Sequence, residues 1–286
     1  MFGVNLTTSA DPNADPVALA TLAEGLGFDF VSCSDHPCGE QATNETWTLL
    51  TWVAARTTRI GIVTRVLGLP FRRPVVMAKM AETLHRLSGS RLVLGLGAGG
   101  SDDEIRAVGA PALSPQDKIA ALEEALRIVR IAWRGERFSF AGVHHRADDA
   151  ILTPSPRSPI PVWLGTFGRR ALTITGQYGD GWIPSLGYAR AEELPAMLER
   201  VLAAAVDTGR SPDEIERVLN VVVRVDDDVD NDEGSLVGPR SFLVDRLGAF
   251  LHSGFTGFNF IVPEASAAEQ YHLLAETVVP ALRDIL

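Results

Sequence analysis

Residues 91–97 read Arg-Leu-Val-Leu-Gly-Leu-Gly, and the chain continues into the turn Ala98-Gly99-Gly100. This short run is almost wholly apolar and lacks the polar–apolar alternation of a half-exposed strand. Such a pattern is typical of a strand that is covered on both faces, and therefore of a parallel sheet. Residues 115–133 follow as a long amphipathic pattern, which predicts a helix packed against the sheet.

The same unit, an apolar run followed by a helical pattern, occurs eight times along the chain. The predicted strands lie at residues 2–7, 28–34, 59–66, 91–97, 161–166, 181–184, 219–225 and 258–262. The predicted helices lie at residues 15–26, 46–57, 74–87, 115–133, 168–178, 191–208, 239–253 and 267–286. Eight such units in order predict an α/β fold with a single (β/α)8 TIM barrel domain over residues 1–286. A doubly wound open sheet is the alternative.

Two segments interrupt this rhythm. Residues 135–159 are polar and rich in proline, which predicts an extra segment outside the barrel wall between strands four and five. The acidic residues 226–238 follow strand seven, and they predict a mobile, solvated loop, with an active-site lid as the lesser alternative.

Composition narrows the class of protein. The net charge of -10 over 286 residues argues against nucleic-acid binding, because phosphate backbones would be repelled. No apolar run approaches the roughly 20 residues that span a bilayer, and the N-terminus lacks the features of a signal peptide. We therefore expect a cytoplasmic protein with no membrane association, in which Cys33 and Cys38 are free thiols.

The ends of the predicted strands carry the candidate chemistry, because ligands of a barrel bind over the carboxyl ends of its strands. Strand two is followed by Ser34, Asp35 and His36. A carboxylate beside an imidazole can fix its tautomer or tune its pKa, so Asp35 and His36 are candidate catalytic residues. The alternative for His36 is an ordinary surface or capping residue.

The turn after strand four matches the pattern Gly-x-Gly-x-x-Gly over residues 95–100. A dinucleotide-binding fold would place an acidic residue about 20 residues later at a strand end, but the chain is then inside a predicted helix. We expect instead that Gly97, Ala98 and Gly99 let the backbone approach a planar ligand closely. A tight turn capped by Ser101 and Glu104 is the alternative.

The turn after strand five predicts a phosphate site. Its residues are Gly165, Thr166, Phe167, Gly168 and Arg169, and they open a helix. Backbone N–H groups at a helix start, a hydroxyl and arginine side chains suit a phosphate. A capped turn with solvated arginines is the alternative. In the next turn, we expect Asp180 and Trp182 to have structural roles.

These segments together resemble the luciferase-like family, whose members are barrel enzymes that use FMN or the deazaflavin coenzyme F420. The resemblance spans nearly the whole chain, and its ordered set of motifs is more specific than any one of them. The matching stretches are Gly25–Asp29 with Ser34-Asp35-His36, Arg72-Arg73-Pro74 with Ala78, 83–91, 94–99, 161–165, Arg170-Ala171-Leu172, and Gly179-Asp180-Gly181-Trp182.

The resemblance implies roles for particular residues. The cofactor ring is expected over the barrel mouth, beside a bulge that contains a non-proline cis peptide bond, at Val63–Thr64 by position. The cofactor phosphate is expected at the turn after strand five, and a homodimer is implied. The cofactor-binding residues implied are Ser34, Asp35, Val63, Thr64, Gly97, Ala98, Gly99, Gly165, Thr166, Phe167, Gly168, Arg169, Thr175 and Gly176.

Within the family, the chain is most similar to the F420-dependent actinobacterial group. Members of that group that oxidise sugar phosphates carry a tryptophan and a glutamate where this chain has Glu40 and Gly100. We therefore expect hydride transfer between coenzyme F420 and another small organic substrate. The alternatives are an FMN-dependent monooxygenase, a non-catalytic cofactor-binding protein, and a barrel enzyme without a flavin that binds a phosphorylated substrate.

Overall fold

The computed structural model describes residues 1–231 and 234–286, and it shows a closed barrel of parallel strands surrounded by helices. Within these residues, strands one to eight of the barrel are Phe2–Asn5, Phe30–Cys33, Gly61–Thr64, Leu92–Gly97, Val162–Leu164, Gly181–Trp182, Glu216–Val225 and Gly257–Ile261. The predicted (β/α)8 TIM barrel is confirmed, and the open-sheet alternative is wrong.

Two pairings close the barrel. Strand one pairs with strand two on one side and with strand eight on the other, where Phe2 lies opposite Phe258. Strand six pairs with strand seven through Gly181 and Glu216. Every neighbouring pair around the ring is parallel, so the carboxyl ends of all eight strands open at one pole, which we call the mouth.

The helices cover the outside of the barrel. Their bounds are Pro16–Gly25, Thr46–Arg56, Pro74–Leu87, Asp102–Ala107, Pro115–Ala132, Arg169–Tyr178, Leu194–Asp207, Arg240–His252, Ala267–Leu273 and Val279–Arg283, with a π-helical turn at Leu274–Val278. Side chains cap several of their amino ends: Asp15 accepts a hydrogen bond from the Ala18 N–H at 2.8 Å, and Ser114 accepts one from Asp117 at 3.2 Å. These contacts satisfy N–H groups that have no partner within the helix.

The barrel interior is apolar below the mouth. Phe30, Val63, Trp163, Ile183 and Val218 form a buried cluster there. The rings of Phe30 and Trp163 meet edge to face, with centroids 5.8 Å apart. A larger core fills the space between the strands and the helices, and burial of both layers is the main source of stability.

Asp180 and Trp182 have the structural roles that we expected. Asp180 accepts hydrogen bonds from the Val162 N–H at 2.8 Å and from Arg130 at 2.6 Å. Trp182 is fully buried, stacks on Phe255 and donates its indole N–H to the Thr166 carbonyl at 3.0 Å. The Trp182 contact ties this turn to the turn after strand five.

Several local predictions differ from the structure. The extra segment contains the antiparallel strands Phe138–Ala141 and Arg146–Ala150. Residues 226–238 are not simply a loop: Asp230–Asn231 and Ser235–Gly238 pair with each other, and Ser235–Gly238 also pairs with strand seven. Residues 232 and 233 of that segment lie outside the described residues.

Among residues 1–231 and 234–286, none of the helices combines the length and the apolarity that crossing a membrane would take.

Gly176 provides a test of this packing. It lies in helix Arg169–Tyr178, where an added Cβ would lie 2.1 Å from the backbone oxygen of Val201 on the neighbouring helix. We expect Gly176→Ala to lower the free energy of unfolding by about 1–3 kcal/mol, because overpacking outweighs the gain in helix propensity. Chemical denaturation of the purified variant measures the change.

Gly25→Ala is the matched control. Gly25 ends helix Pro16–Gly25 and has no heavy atom within 4 Å of the position of an added Cβ. Its replacement is expected to leave stability unchanged or to raise it by up to about 1 kcal/mol. Equal effects of the two substitutions would contradict the close helix contact.

Candidate functional site

A layer of polar side chains lies above the apolar interior, at the mouth of the barrel. Asn259 donates a hydrogen bond to Asn220 at 2.8 Å and accepts one from the Ser32 hydroxyl at 3.0 Å. Ser32 also lies 3.3 Å from Asn5, and Asn220 donates to Ser185 at 3.2 Å. We call these five residues the polar floor. They come from strands one, two, seven and eight and from the loop after strand six, so only barrel closure brings them together.

Arg65 completes this layer. It follows strand three directly, is partly buried, and donates a hydrogen bond from Nε to the Asn5 side chain at 2.8 Å. Burial lowers the pKa of Arg65 from its ordinary value, yet a guanidinium stays charged in proteins. The mouth therefore contains a cation beside neutral amides.

Asp35 anchors the loop that follows strand two. Its carboxylate, almost fully buried, accepts hydrogen bonds from the Gly68 N–H at 2.9 Å and from both terminal nitrogens of Arg72, at 2.6 and 3.1 Å. Arg72 also contacts Glu45. Burial alone would lower the pKa of Arg72, but its hydrogen bonds to these two carboxylates raise it. This bidentate pair links the loops after strands two and three.

His36 has a different partner from the one the sequence suggested. Its Nδ1 lies 3.0 and 3.2 Å from the two carboxylate oxygens of Glu104, and its side chain is 60% exposed. The expectation that Asp35 fixes the tautomer of His36 is wrong, because Arg72 and Gly68 occupy the Asp35 carboxylate. Ser101 does cap helix Asp102–Ala107, but the Glu104 carboxylate reaches His36 instead of completing a capping box.

The bulge after strand three lies beside the turn after strand four. The non-proline cis peptide bond is Arg65–Val66, so the predicted position Val63–Thr64 is wrong by two residues. Val63 belongs to the apolar interior. Thr64 is buried, and its hydroxyl donates to the Gly95 carbonyl and accepts from the Gly95 N–H, both at 2.8 Å.

Glycines leave the space that the Val66 side chain occupies. A Cβ added at Gly97 would lie 2.7 Å from a methyl carbon of Val66, and one added at Gly165 would lie 3.1 Å from the other. Gly97 and Gly165 therefore accommodate Val66. The contact of Gly97 with a planar ligand and that of Gly165 with a phosphate stay predictions.

The turns after strands four and five are direct neighbours. The Gly165 N–H donates to the Leu96 carbonyl at 3.1 Å. Gly168 has a positive φ of 75° and caps helix Arg169–Tyr178 without a side-chain hydrogen bond, and its Cβ position has no neighbour within 4 Å. Arg169 is exposed beside it. The first N–H groups of this helix and the exposed Arg169 side chain lie at this turn, and their role as a phosphate site stays a prediction.

The remaining predicted residues have contacts of their own. The Thr166 and Thr175 hydroxyls are buried and 2.6 Å apart, so they bond to each other. The close contact with the neighbouring helix at Val201 accounts for the absence of a side chain at Gly176. Ser34 lies beside a cavity of about 220 Å³ near the ends of strands one, two and eight. Phe167 is partly buried and stacks on the exposed ring of Tyr188, with centroids 5.8 Å apart. Ala98 faces outward.

Ala98 lines a different cavity. This cavity has a volume of about 510 Å³ and lies outside the barrel wall, between the turn after strand four and the extra segment. Lys118 on its wall already pairs with Asp102 at 2.6 Å. We place the candidate site at the mouth instead, because the strand ends and the polar floor meet there.

Sequence reasoning missed part of this site. It did not identify the polar floor, the position of Arg65 or the Glu104 partner of His36. The sequence does contain a signal for the polar floor and for Arg65. Side chains of a strand alternate between its two faces, and Asn5, Ser32 and Arg65 each lie two residues beyond an inward-facing residue of their strand.

Comparison with known proteins identifies relatives along most of the chain. The sequence pattern of the luciferase-like monooxygenase family matches residues 2–237. An F420-dependent glucose-6-phosphate dehydrogenase from Intrasporangium calvum is 33% identical over 214 residues, which are 72% of this chain and 64% of that protein. The same enzyme from Nakamurella multipartita is 30% identical over 234 residues, or 79% of this chain and 68% of that protein. The chain thus matches about two thirds of the length of these relatives.

Solved structures with the same fold are more distant in sequence. An F420-dependent secondary alcohol dehydrogenase, in complex with an F420-acetone adduct, superimposes with a TM-score of 0.87 at 19% identity and covers 99% of both chains. A coenzyme F420-dependent tetrahydromethanopterin reductase from Methanopyrus kandleri has a TM-score of 0.83 at 19% identity, with 98% of this chain and 99% of that chain covered. These likenesses show the fold.

The ion pair of Asp35 and Arg72 is expected to stabilise the rim of the mouth. The Asp35 side chain is 1% exposed and that of Arg72 is 11% exposed. Arg72→Met leaves the carboxylate buried without a cation, so we expect the free energy of unfolding to fall by about 3–5 kcal/mol. Chemical denaturation measures it.

Arg137→Met removes a comparable contact from the surface. Arg137 pairs with Asp149 at 2.8 Å, and both side chains are well exposed. Its loss should cost no more than about 1 kcal/mol. If Arg72→Met costs no more than this control, the anchoring role of the buried pair is refuted.

Proposed function

Since the chain belongs to the luciferase-like monooxygenase family, we propose that it is an oxidoreductase that transfers hydride between coenzyme F420 and a small organic substrate. The observation that carries this proposal is the hydrogen bond between Gly165 and Leu96. It holds the turns after strands four and five side by side, so one elongated ligand can contact both. The relatives named for F420 point to a deazaflavin as that ligand.

The residues at the mouth fit the ring of such a cofactor. Val66 fills the space between Gly97 and Gly165 and so presents a smooth apolar surface next to the turn after strand four. The polar floor offers amide groups, which suit the polar edge of a planar heterocycle. Gly99 and Gly100 bring no side chains that would block access.

The other end of the cofactor fits the turn after strand five. The start of helix Arg169–Tyr178 has N–H groups without a capping side chain, and the Arg169 side chain is exposed beside them. These groups would hold the cofactor phosphate. An acidic tail would find exposed Arg73 and Arg169, whereas Arg72 is already paired with Asp35.

The bound deazaflavin supplies the hydride chemistry, and the chain supplies binding, orientation and proton transfer. His36 is our candidate for the proton transfer. The Glu104 carboxylate can only accept a hydrogen bond, so it holds the proton of the neutral imidazole on Nδ1. Nε2 is then unprotonated and can take a proton from a substrate hydroxyl, or return it in the reverse direction. Asp35 acts as a positioning residue, since its carboxylate fixes the loop that presents His36.

An FMN-dependent monooxygenase is the second candidate, and the description of the matching family favours it. The glucose 6-phosphate of the relatives is not part of the proposal, because Glu40 and Gly100 depart from the residues expected for sugar-phosphate oxidation. The homodimer, the cytoplasmic location and the single domain over residues 1–286 stay predictions.

Titration with the two cofactors tests the proposal. We expect the purified protein to bind F420 at least about tenfold more tightly than FMN, a difference of about 1.4 kcal/mol. Hydride transfer with reduced F420 should proceed without oxygen. Preferential binding of FMN together with oxygen uptake would favour the monooxygenase, and binding of neither cofactor would refute both candidates.

Replacing His36 with alanine tests the proton transfer. We expect the turnover number of His36→Ala to fall about 10²–10⁴-fold, as is typical for loss of a general acid–base. The affinity for F420 should stay within a few-fold of wild type. Glu104→Gln should also reduce turnover, because an amide can donate to Nδ1 and stabilise the tautomer that has its proton on Nε2. The reduction should be smaller than in His36→Ala, because the imidazole is still present.

His272→Ala is the matched control. His272 is also exposed, and its Nδ1 also contacts a glutamate, Glu276, at 3.2 Å. It lies on an outer helix, so wild-type turnover is expected. A His36→Ala enzyme with wild-type turnover would remove this histidine from the mechanism.

A further inference from the structure

Arg65 is a cation without a counter-ion. No carboxylate lies within 4.0 Å of its guanidinium in residues 1–231 or 234–286, and its one side-chain hydrogen bond, to Asn5, uses Nε. Its two terminal amino groups have no acceptor among those residues. The backbone N–H of Arg65 donates to the Cys33 carbonyl at 2.8 Å, so the Cys33 thiol is a neighbour of this side chain. Burial raises the pKa of Cys33 to about 12, so this thiol carries no charge near neutral pH.

This arrangement places a partly buried positive charge at the mouth of an acidic chain. Other arginine side chains around the barrel have carboxylate partners, as Arg72 has Asp35 and Arg130 has Asp180. A partly buried charge without a partner is costly, because the protein replaces water without supplying an opposite charge. A ligand that brings one negative charge into the mouth would offset that cost.

We propose that Arg65 binds a carboxylate group of the substrate. The inference rests on the proposed function, since it names the chemical class of the molecule that enters the mouth. One guanidinium balances one negative charge, and its two terminal amino groups match the two oxygens of a planar carboxylate. A phosphate, which carries up to two charges near neutral pH, would need a second cation; the polar floor supplies only amides and hydroxyls.

The rest of the substrate meets an aromatic surface. The rings of Phe167 and Tyr188 stack with an interplanar angle of 24°, and Tyr188 is 82% exposed at the rim. The loop that carries Tyr188 also carries Ser185 of the polar floor, so the aromatic pair and Arg65 lie at the same end of the barrel. Together they favour an organic acid with a flat apolar part.

Binding of benzoate tests the proposal without relying on turnover. Benzoate and its neutral counterpart benzamide have nearly the same shape, so their difference reports the charge. We expect isothermal titration to show benzoate binding to the wild type about 10- to 100-fold more tightly than benzamide, with or without F420. Arg65→Gln should abolish this preference, and Arg65→Lys should keep part of it.

Arg56→Gln is the control for the loss of one positive charge. Arg56 is exposed at the end of helix Thr46–Arg56, which leads back toward the start of strand three and away from the mouth. It should bind benzoate as the wild type does. Equal binding of benzoate and benzamide to the wild type, tighter binding of inorganic phosphate, or an unchanged preference in Arg65→Gln would each overturn the proposal.

Turnover of matched acids and amides separates the failure of this inference from that of the proposed function. With F420 bound, kcat/KM should favour each carboxylic acid over its primary amide in the wild type but not in Arg65→Gln, while F420 affinity stays within a few-fold. If Arg65→Gln loses F420 affinity instead, Arg65 serves the cofactor and the inference is wrong. If F420 does not bind at all, the proposed function fails, and the benzoate measurement still decides the role of Arg65.

Discussion

The hydrogen bond from the Gly165 N–H to the Leu96 carbonyl is the contact on which the candidate site depends. It extends the pairing of strands four and five to the edge of the barrel, so the two glycine-containing turns open side by side. Val66 lies against the same two turns and fixes their spacing from the bulge after strand three. If these turns lay at opposite poles, one ligand could not reach both.

The interior of the barrel changes from apolar to polar over a short distance. Phe30, Trp163 and their neighbours fill the lower part, and the polar floor lies directly above them. Each amide or hydroxyl of the floor finds a partner on another strand, so the layer is rigid without being charged. Arg65 is the exception, and it brings a positive charge to a surface that is otherwise neutral. The chemistry that we propose uses this contrast: a flat apolar wall for a ring and a single cation for an acid.

The eight-unit pattern of the sequence predicts the barrel, because each strand and each helix has its own periodicity of apolar residues. It also predicts that the turns after strands four and five carry the ligand site, since the topology places all strand ends at one pole. The pairing of Asp35 with His36 could not be predicted in this way. Consecutive residues point in different directions, so the two side chains reach Arg72 and Glu104, which are far apart in the sequence. The polar floor depends on register between strands, and hydrophobic patterns do not determine the position of a cis peptide bond such as Arg65–Val66.

A crystal structure of the protein grown with coenzyme F420 tests the central claim most directly. We expect the deazaflavin ring to rest against Val66 and the turn at Gly97–Gly99, with the cofactor phosphate at the N–H groups that begin helix Arg169–Tyr178. A ring bound outside the mouth, or a phosphate that does not contact the turn after strand five, would contradict the account.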